Sequence, residues 1–404
     1  MIRSLRGMND TLDIEDSERF SYFIETATRI AKNYGFRFIE TPQLEETALF
    51  KRSVGESSDI VGKEMYQFTD KGENDVCLRP EGTAGVVRAF VQNKYDRQET
   101  TQRLFYHGTM FRYERPQKGR LRQFHQFGCE SFGESSVLED ASLILMVRDI
   151  FTALGINFTL KLNSLGDTNC MPQYRDTLIK FLDSNEEHVC EDCLRRKGTN
   201  PIRVLDCKNG RCQEIYVDAP KLMQNLCEGC DTDFKTLTNL LDEHGMAYEI
   251  DTHLVRGLDY YSKTAFEFIS TEIGAQSAIA GGGRYDRLVE FLEGRPTPAV
   301  GFAIGIERLM ELIKMPETSR EGYYFGAMDE PAISKVYKLG MQKRADHKVT
   351  IGYKARNLKA HLKAADKANA RYCAILGENE LSNDTIWVKD LENKTESEIS
   401  QKEF

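Results

Sequence analysis

The sequence has no long apolar run. No stretch of the 404-residue sequence reaches the roughly 18 consecutive apolar residues that a membrane-spanning helix requires. Residues 1–15 contain arginine, aspartate and glutamate and lack the apolar stretch of a secretory signal. These absences predict a cytoplasmic protein with no membrane contact. A hydrophobic content of 40% is enough for a sizeable core, and the length allows two or three domains.

The usual glycine-rich phosphate loops are also missing. No G-x-x-x-x-G-K-[ST] run occurs, and Gly281, Gly282 and Gly283 are followed by Arg284 where a phosphate-binding lysine would be needed. A P-loop or a Rossmann site is therefore not indicated. An enzyme that uses ATP without these loops must hold phosphates with side chains and metal ions. The arginines suited to that task are Arg112, Arg120, Arg256 and Arg308.

An excess of positive charge is absent overall but present locally. The net charge is −9, which is unusual for a protein that binds nucleic acid. Residues 333–372, however, hold eleven Lys or Arg against two Asp, a net charge of +9, so the remainder carries −18. This asymmetry predicts a phosphate-attracting surface in the C-terminal part. A solvated helix face is the alternative explanation of such a run.

Residues 111–133, FRYERPQKGRLRQFHQFGCESFG, have the composition of an anion site between two strands. Strand alternation places residues 104, 106, 108, 110 and 112 on one face, and residues 124, 126, 128, 130 and 132 on one face of the returning strand. Gly108 is predicted to leave the first face open. Gln126 and Glu130 flank Gly128, where a small ligand could lie. The charged connection between the strands, residues 114–121, is too long for a tight turn, and its arginines could cover a polyphosphate. A solvated basic hairpin is the alternative.

Five segments resemble signatures of one enzyme family. Residues 111–133 are similar to motif 2 of class II aminoacyl-tRNA synthetases, and the other segments strengthen the resemblance to the histidyl-tRNA synthetases in particular. They occur in the order expected for that family: LRPEGTA (78–84), LVRGLDYYSKTAFE (254–267), AGGGRYDRLVE (280–290) and GFAIGIERL (301–309), the last resembling motif 3.

The resemblance implies a fold and a domain organisation. The expected fold is α+β: a catalytic domain with a mixed, mainly antiparallel sheet flanked by helices, over residues 1–320. A mainly helical insertion is expected at about 166–245, and a C-terminal α/β anticodon-binding domain at 321–404. The predicted helix from Asp16 to Asn33 and the strand up to Pro42 resemble motif 1, which implies a homodimer.

The resemblance also implies roles for individual residues. Glu81 and Thr83, within a turn that includes Gly82, would bind the α-amino group of histidine, with Gln126 nearby. Glu130 and Tyr261 would read the imidazole. Tyr260 would form a wall of the pocket. Arg112 would bridge the histidine carboxylate and the α-phosphate of ATP. Arg120 and Arg308 would bind the β- and γ-phosphates. Arg256 would stabilise charge on the α-phosphate in the transition state. Arg112 and Arg256 are thus the catalytic candidates. Gln117 would contact the acceptor end of tRNA.

The implied reaction has two steps. Histidine and ATP, accompanied by Mg²⁺, give histidyl-adenylate and pyrophosphate; histidine is then transferred to the 3′ end of tRNA(His), and AMP is released. Two other functions remain open. One is a regulatory subunit such as that of ATP phosphoribosyltransferase, a class that generally lacks the C-terminal domain. The other is a class II synthetase for another amino acid, which RGLDYY and FHQFGCE do not favour.

Six cysteines lie within forty-one residues and include two C-x₂-C pairs. In a cytosolic protein, such spacing favours tetrahedral zinc over disulfides. One structural zinc is predicted at Cys190, Cys193, Cys227 and Cys230. The alternative is a set of reduced thiols packed in a helical insertion.

Two positions depart from the family pattern. Arg287 replaces a usual glycine in the second histidine signature, so the turn there is expected to differ locally. The chain ends at Phe404 soon after a predicted strand near 385–390, and the terminal helix expected of an anticodon-binding domain is short or absent.

Overall fold

The computed structural model describes residues 2–11, 14–55, 58–207, 209–255, 258, 260–273, 278–316 and 319–404. The chain forms two compact units, Met1–Lys314 and Met315–Phe404. Within the described ranges, every helix is too short or too polar to cross a membrane.

The strands of the two units are numbered in chain order: β1 (Arg37–Phe38), β2 (Leu44–Glu46), β3 (Tyr66–Thr69), β4 (Asp75–Leu78), β5 (Gln102–Phe111), β6 (Gln123–Phe132), β7 (Thr159–Ser164), β8 (Tyr248–Ile250), β9 (Ser262–Ile269), β10 (Ala278–Arg284), β11 (Ala299–Gly305), β12 (Tyr323–Ala327), β13 (Val349–Ile351), β14 (Tyr372–Leu376), β15 (Thr385–Asp390) and β16 (Thr395–Ser400).

The α-helices are numbered in the same way: α1 (Ile14–Asn33), α2 (Thr47–Val54), α3 (Thr83–Gln92), α4 (Val137–Ala153), α5 (Met171–Ser184), α6 (Glu191–Thr199), α7 (Gly210–Tyr216), α8 (Glu228–Glu243), α9 (Leu288–Phe291), α10 (Ile306–Leu309), α11 (Ile333–Lys343), α12 (Leu358–Lys367) and α13 (Glu378–Asn383). Short 3-10 helices lie at Tyr95–Arg97, Glu186–His188, Pro201–Asp206, Leu222–Gln224 and Thr271–Ile273, and a π-helical turn lies at Ile60–Glu64.

The first unit is built on a sheet of eight described strands, in the order β1-β5-β6-β11-β10-β9-β7-β8. Neighbours are antiparallel except at the two edges, where β1 pairs with β5 and β7 pairs with β8 in parallel. This mixed, mainly antiparallel sheet confirms the predicted fold class.

Helices α1 and α4 cover one face of this sheet and pack against each other. The apolar residues of α1 recur at helical spacing, and Phe23, Ala27 and Ala31 are completely buried. Helix α4 begins after Ser136, whose hydroxyl accepts a hydrogen bond from the amide of Leu138 at 3.3 Å. The predicted first helix, Asp16 to Asn33, is confirmed with a slightly earlier start.

A small antiparallel sheet, β2-β4-β3, carries the turn that leads into α3. Arg79 fixes this turn to β5, because its buried guanidinium donates to the Thr109 carbonyl at 2.9 Å and to the Thr41 carbonyl at 2.7 Å. Residues 80–83 are thereby held over the sheet.

The segment between β7 and β8 is helical and contains α5 to α8. Its core includes Tyr174, Leu178 and Leu222, together with most of the clustered cysteines. Backbone hydrogen bonds of 2.6 Å, from Leu165 to Lys263 and from Lys263 to Gly166, join the start of this segment to β9.

The second unit is an α/β domain with the sheet order β13-β12-β14-β15-β16. The strands β13, β12 and β14 are parallel, whereas β15 and β16 are antiparallel additions. The α/β character expected of this part of the chain and the strand predicted near 385–390 are confirmed. Strand β16 was not predicted, and it occupies the region where a terminal helix was expected to be short or absent.

Candidate active site

A cavity of about 190 Å³ lies over β6, β10 and β11. Its walls come from the turn before α3, from the connection between β5 and β6, and from the residues that precede β9. The cavity brings together eight of the residues that the sequence predicts for the site: Glu81, Thr83, Arg112, Arg120, Gln126, Tyr260, Tyr261 and Arg308.

Four other predicted residues are not among the described residues that line the cavity. Two of them are Gly82 and Glu130. Gln117 is exposed at the tip of the β5–β6 connection, where it forms a bridge with Arg120 through backbone hydrogen bonds of 3.0 and 2.9 Å. Arg256 lies outside the described residues.

The pairing of β5 with β6 places the predicted residues on a common face. Gly108 lies opposite Gln126, and Leu104 lies opposite Glu130. The space expected above the two glycines is filled, however. A Cβ atom at Gly128 would lie 2.4 Å from the Tyr106 ring, and one at Gly108 would lie 2.4 Å from the Arg79 guanidinium. The prediction of open space above Gly108 and Gly128 was therefore wrong, because the small residues accommodate large side chains of the protein itself.

Acidic groups define one end of the site. Both carboxylate oxygens of Glu81 accept hydrogen bonds from the start of α3, at 2.6 Å from the Thr83 amide and 2.9 Å from the Ala84 amide. Complete burial raises the pKa of Glu81 despite these donors and the nearby Arg112. A bound cation would stabilise the ionised carboxylate.

Glu130 lies in a network of hydroxyl groups beneath this end. Its carboxylate accepts hydrogen bonds from Thr83 at 2.8 Å, from Tyr106 at 3.3 Å and from Tyr285. Burial raises the pKa of Glu130 to about 8; the three hydroxyl donors oppose the rise, whereas Glu81 adds to it. Gly301 allows this close packing, since a Cβ atom there would lie 1.7 Å from the Glu130 carboxylate.

Three arginines line the rest of the cavity, and Arg112 lies close to both Glu81 and Arg308. Arg112 donates to the Pro80 carbonyl at 2.9 Å, and its guanidinium lies over the Phe124 ring at 5.2 Å. Arg308 donates to the Ala278 carbonyl at 2.6 Å, and Arg120 pairs with Glu114. Burial lowers the pKa of Arg308, and the charges of Arg112 and Arg120 lower it further. Positive charges that converge in this way form a site for an anion.

Apart from the ion-paired atoms of Arg120 and Glu114, two buried polar atoms at the cavity have no hydrogen-bond partner among the described residues: Gln126 Oε1 and the hydroxyl of Tyr260. An unpaired buried polar atom costs roughly 1–3 kcal/mol. Both residues line the cavity, so a polar ligand could supply the missing partners.

Several residues at the site were missed by the sequence analysis. Tyr106 and Tyr285 hold Glu130, and the carboxylates of Glu114, Glu267 and Glu307 line the cavity. Tyr285 lies in the segment AGGGRYDRLVE, which marked its neighbourhood. Glu307 likewise lies in the segment GFAIGIERL. Tyr106 lies outside the five segments and reaches Glu130 from the neighbouring strand.

His125 lies between Phe124 and Gln126 on β6, and unlike them it is not among the described residues that line the cavity. Its ring nitrogen Nδ1 lies 2.7 Å from Glu307, whose carboxylate also accepts from the His125 amide at 2.9 Å. His125 thereby holds Glu307 from behind the cavity wall.

Comparisons with known proteins place this geometry in a family. The family described as "Histidyl-tRNA synthetase" matches residues 7–309, and the family "Anticodon binding domain" matches residues 334–404. The chain belongs to the histidyl-tRNA synthetase family.

Individual histidyl-tRNA synthetases match over the full chain. The "Histidine--tRNA ligase" of Sulfurimonas denitrificans is 68% identical over 404 residues, which cover 100% of both chains. That of Sulfurovum sp. is 65% identical over 99% of both chains. Among solved structures, apo S. aureus histidyl-tRNA synthetase matches with a TM-score of 0.83 and 32% identity, and the match covers 100% of this chain and 98% of that one.

These matches bear on the two alternative functions. The anticodon-binding unit that a regulatory subunit generally lacks is present here. The full-length matches are to histidine ligases, which does not support a class II synthetase for another amino acid. The enzyme is therefore an aminoacyl-tRNA ligase of the histidine class.

The clustered cysteines do not form the single group of four that their spacing predicted. Cys190 and Cys193 group with Cys207 and Cys212, which we call the distal cluster. Cys227 and Cys230 instead group with Asp167 and Cys170, which we call the root cluster. The predicted single site at Cys190, Cys193, Cys227 and Cys230 was wrong, because the fold brings each C-x₂-C pair to a different second pair.

The departure at Arg287 is local. Arg287 precedes α9, is exposed, and lies 3.7 Å from Glu290 on the same helical turn. Its side chain therefore extends along the outside of the short helix, away from the buried residues Leu288 and Val289.

Proposed function

We propose that the cavity over β6, β10 and β11 is where the histidine–tRNA ligase reaction of this enzyme takes place. The observation that carries the proposal is the polarity of the site. Glu81 and Glu130 lie at one end, Arg120 and Arg308 lie at the other, and Arg112 is close to both Glu81 and Arg308. Histidine carries an ammonium group and ATP carries a polyphosphate, so the two substrates match the two ends.

At the acidic end, Glu81 binds the α-ammonium group of histidine. The carboxylate is already oriented by two amides of α3, and the positive charge of the ligand offsets the cost of burying its ionised form. Gln126, whose buried Oε1 has no partner among the described residues, adds an acceptor for the same group.

The imidazole is read by Glu130 and Tyr261, as the family resemblance implies. Glu130 lies beneath the cavity lining, and Thr83 lies between it and the ligand space. Histidine therefore reaches Glu130 only when the Thr83 hydroxyl turns away from the carboxylate. Tyr260 packs against Tyr261, with ring centroids 4.6 Å apart, and forms the wall of the pocket.

At the basic end, ATP enters as its magnesium complex. Arg112 binds the α-phosphate and the substrate carboxylate, and Arg120 and Arg308 bind the β- and γ-phosphates. The carboxylates of Glu114, Glu267 and Glu307 line the same end and offer the oxygen ligands that Mg²⁺ prefers.

Positioning and charge neutralisation drive the first step. The histidine carboxylate attacks the α-phosphorus, an adenylate forms and pyrophosphate leaves, without a nucleophile from the protein. Arg112 neutralises charge at the reacting atoms, and Arg256 is assigned to the α-phosphate in the transition state. The 3′-hydroxyl of tRNA(His) then attacks the acyl carbon, and AMP leaves.

Two surfaces are assigned to tRNA. Gln117 is exposed at the tip of the β5–β6 connection and contacts the acceptor end. In the second unit, Lys359, Lys363 and Lys367 are all exposed on α12, where they share one helix face and contact the RNA backbone. Because charged tRNA serves translation, the enzyme is expected in the cytoplasm.

The enzyme is also proposed to be a homodimer. Phe38, Leu44 and Phe68 lie on the N-terminal strands with 43–48% of their surface exposed. All three lie on edge strands, β1 of the large sheet and β2 and β3 of the small one, and exposed apolar side chains on edge strands are suited to a second copy of the chain. Sedimentation of the wild-type protein at twice the chain mass, and of Phe38→Glu at a lower mass, tests this assignment.

ATP–pyrophosphate exchange tests the central proposal. Exchange with the wild-type enzyme should require histidine and should not occur with each of the other amino acids in turn. Arg120→Ala should lower the exchange rate by roughly 10²-fold or more, because it removes a charge aimed at the phosphates.

Arg115→Ala is the matched control. Arg115 lies in the same connection, is exposed and does not line the cavity, so its loss should leave exchange nearly unchanged. Equal effects of the two substitutions would show that the connection as a whole, and not the Arg120 charge in the cavity, supports the reaction.

A further inference from the structure

We propose that the helical segment between β7 and β8 binds two zinc ions, one in the distal cluster and one in the root cluster. In each cluster, the four candidate ligand atoms lie within 4.8 Å of one another. The ligands of the two sites are four thiolates in the first, and three thiolates and one carboxylate in the second.

The separations fit tetrahedral zinc. With Zn–S bonds of about 2.3 Å, two thiolates of a tetrahedral site lie about 3.8 Å apart. Cys190 Sγ and Cys207 Sγ are 3.7 Å apart in the distal cluster. In the root cluster, Cys227 Sγ lies 3.8 Å from Asp167 Oδ1, slightly more than the about 3.6 Å expected for a sulfur and an oxygen bound to one zinc ion.

Backbone amides around both clusters are arranged as donors to sulfur. In the distal cluster, the Cys190 amide donates to Cys212 Sγ at 3.2 Å and the Asn209 amide donates to Cys207 Sγ at 3.5 Å. In the root cluster, the Cys227 amide donates to Cys170 Sγ at 3.0 Å. Such donors stabilise thiolates, which are the form that binds metal.

The root cluster has a polar ligand that apolar packing does not explain. Asp167 Oδ1 accepts hydrogen bonds from the Asn169 amide at 2.8 Å and the Cys170 amide at 3.2 Å, which orient its carboxylate beside the cysteines. Among reduced thiols this carboxylate would accept only weak S–H donors, such as that of Cys227, whereas a zinc ion takes a carboxylate oxygen as a full ligand.

Helix starts reinforce the arrangement. Cys170, Cys190 and Cys227 each occupy the position immediately before a helix, at α5, α6 and α8. The partial positive charge of a helix start favours a thiolate there. Disulfides do not account for the geometry, since a separation of 3.7 Å far exceeds an S–S bond of about 2.0 Å, and all of these cysteines are free.

The two sites would act on different parts of the segment. The distal cluster joins residues 190–212, in the middle of the helical region. The root cluster joins Asp167, just after β7, to Cys230, at the start of α8. The root zinc therefore holds the start of the segment to the start of α8, beside the backbone bonds that connect Gly166 to β9.

Metal analysis of the full-length protein, purified without chelator, provides the first test. The proposal requires two zinc ions per chain in the wild-type protein. A content of zero overturns it, and a content of one overturns the second site. Because this measurement needs no variant, it is independent of whether any substitution allows the chain to fold.

Variants then assign the ions. Cys207→Ser with Cys212→Ser should reduce the content to one ion, and Asp167→Ala with Cys227→Ser should also leave one. The four substitutions together should leave none, whereas Cys77→Ser, at a buried cysteine outside both clusters, should keep two. Loss of both ions from either pair of substitutions, in protein that stays folded by circular dichroism, would overturn the assignment of separate ligand sets.

Cobalt substitution distinguishes the ligand sets without relying on activity. The wild-type protein loaded with Co²⁺ should show a thiolate-to-cobalt charge-transfer absorption whose intensity corresponds to seven thiolates bound to two ions. Variants of the root cluster should retain the four-thiolate spectrum, and variants of the distal cluster should retain the three-thiolate spectrum. Indistinguishable spectra from the two variants would overturn the assignment of Asp167 as a ligand.

Discussion

The phenol of Tyr285 donates a hydrogen bond to the carboxylate of Glu130, although 155 residues separate them in the sequence. This contact crosses from the segment after β10 to β6, beneath the cavity. It lowers the pKa of Glu130, against the upward effect of burial. The ionisation of the residue assigned to imidazole recognition is therefore controlled in part by Tyr285.

Tyr285→Phe should shift histidine recognition to higher pH. The substitution removes a donor that lowers the pKa of Glu130, so the carboxylate becomes ionised only above its present value of about 8. The KM for histidine in ATP–pyrophosphate exchange, measured between pH 6.5 and 9.5, should fall to its low value at a higher pH than in the wild-type enzyme. Glu130→Gln should flatten the profile. An unchanged profile in Tyr285→Phe would separate Glu130 from histidine binding.

The raised pKa of Glu130 also predicts how stability depends on pH. Its pKa is about 8 in the folded protein and near 4.3 in an unfolded chain, so the folded state binds the proton more tightly between these values. This contribution to the free energy of unfolding is present at pH 4 and is lost as the pH rises toward 8. In urea titrations of the ligand-free enzyme, the unfolding free energy of Glu130→Gln minus that of the wild type should be larger at pH 8.5 than at pH 5.5. The same difference at both values would contradict the raised pKa.

Asp140→Ala should destabilise the first unit strongly. Asp140 is completely buried and pairs with the buried Arg284, and its removal leaves that guanidinium without its main countercharge. The expected loss is about 3–5 kcal/mol of unfolding free energy, measured by chemical denaturation. Asp286→Ala provides the comparison: Asp286 pairs with the same arginine at 3.2 Å but is 30% exposed, so its loss should be clearly smaller. Equal losses would show that burial does not determine the strength of this pair.

Replacement of Lys359, Lys363 and Lys367 by glutamine should weaken the salt dependence of tRNA binding. Each phosphate contact contributes roughly one unit to the slope of log K against log salt, so the slope should decrease by about two to three units. Fluorescence anisotropy with labelled tRNA(His), between 50 and 300 mM salt, measures this change. Lys394→Gln with Lys402→Gln, at exposed lysines of the same unit outside α12, should retain most of the slope. A slope unaffected by the triple replacement would leave α12 as an ordinary solvated helix.

Local patterns predicted the backbone of the site well. The alternation of residues in β6 correctly placed Gln126 and Glu130 on one face of that strand, because strand geometry determines which side chains share a face. It could not show that Tyr106 fills the space at Gly128 or that Arg79 fills the space at Gly108. Both contacts depend on how side chains from other parts of the chain pack against these strands. Periodicity within one strand carries no information about that packing.

The cysteines show the same limit. The C-x₂-C spacing correctly marked two pairs, since each pair lies at the start of a helix. It could not show that Cys207 and Cys212 complete one cluster and Asp167 and Cys170 the other, because those contacts follow from how the helices fold together. Strand β16 was missed for a related reason: TESEIS is largely polar, and its exposed residues show little of the alternation that marked the other strands.

The parallel pairing of β7 with β8 has a consequence for the architecture of the catalytic unit. Two adjacent parallel strands cannot be joined by a hairpin and require a crossover connection, which is usually one helix. Helix α8 packs against α4 and leads into β8, so it alone can serve as that crossover. Residues between α5 and the start of α8 are then an elaboration of a β-α-β unit, and a chain trimmed to β7, α8 and β8 would keep the complete order of the eight strands.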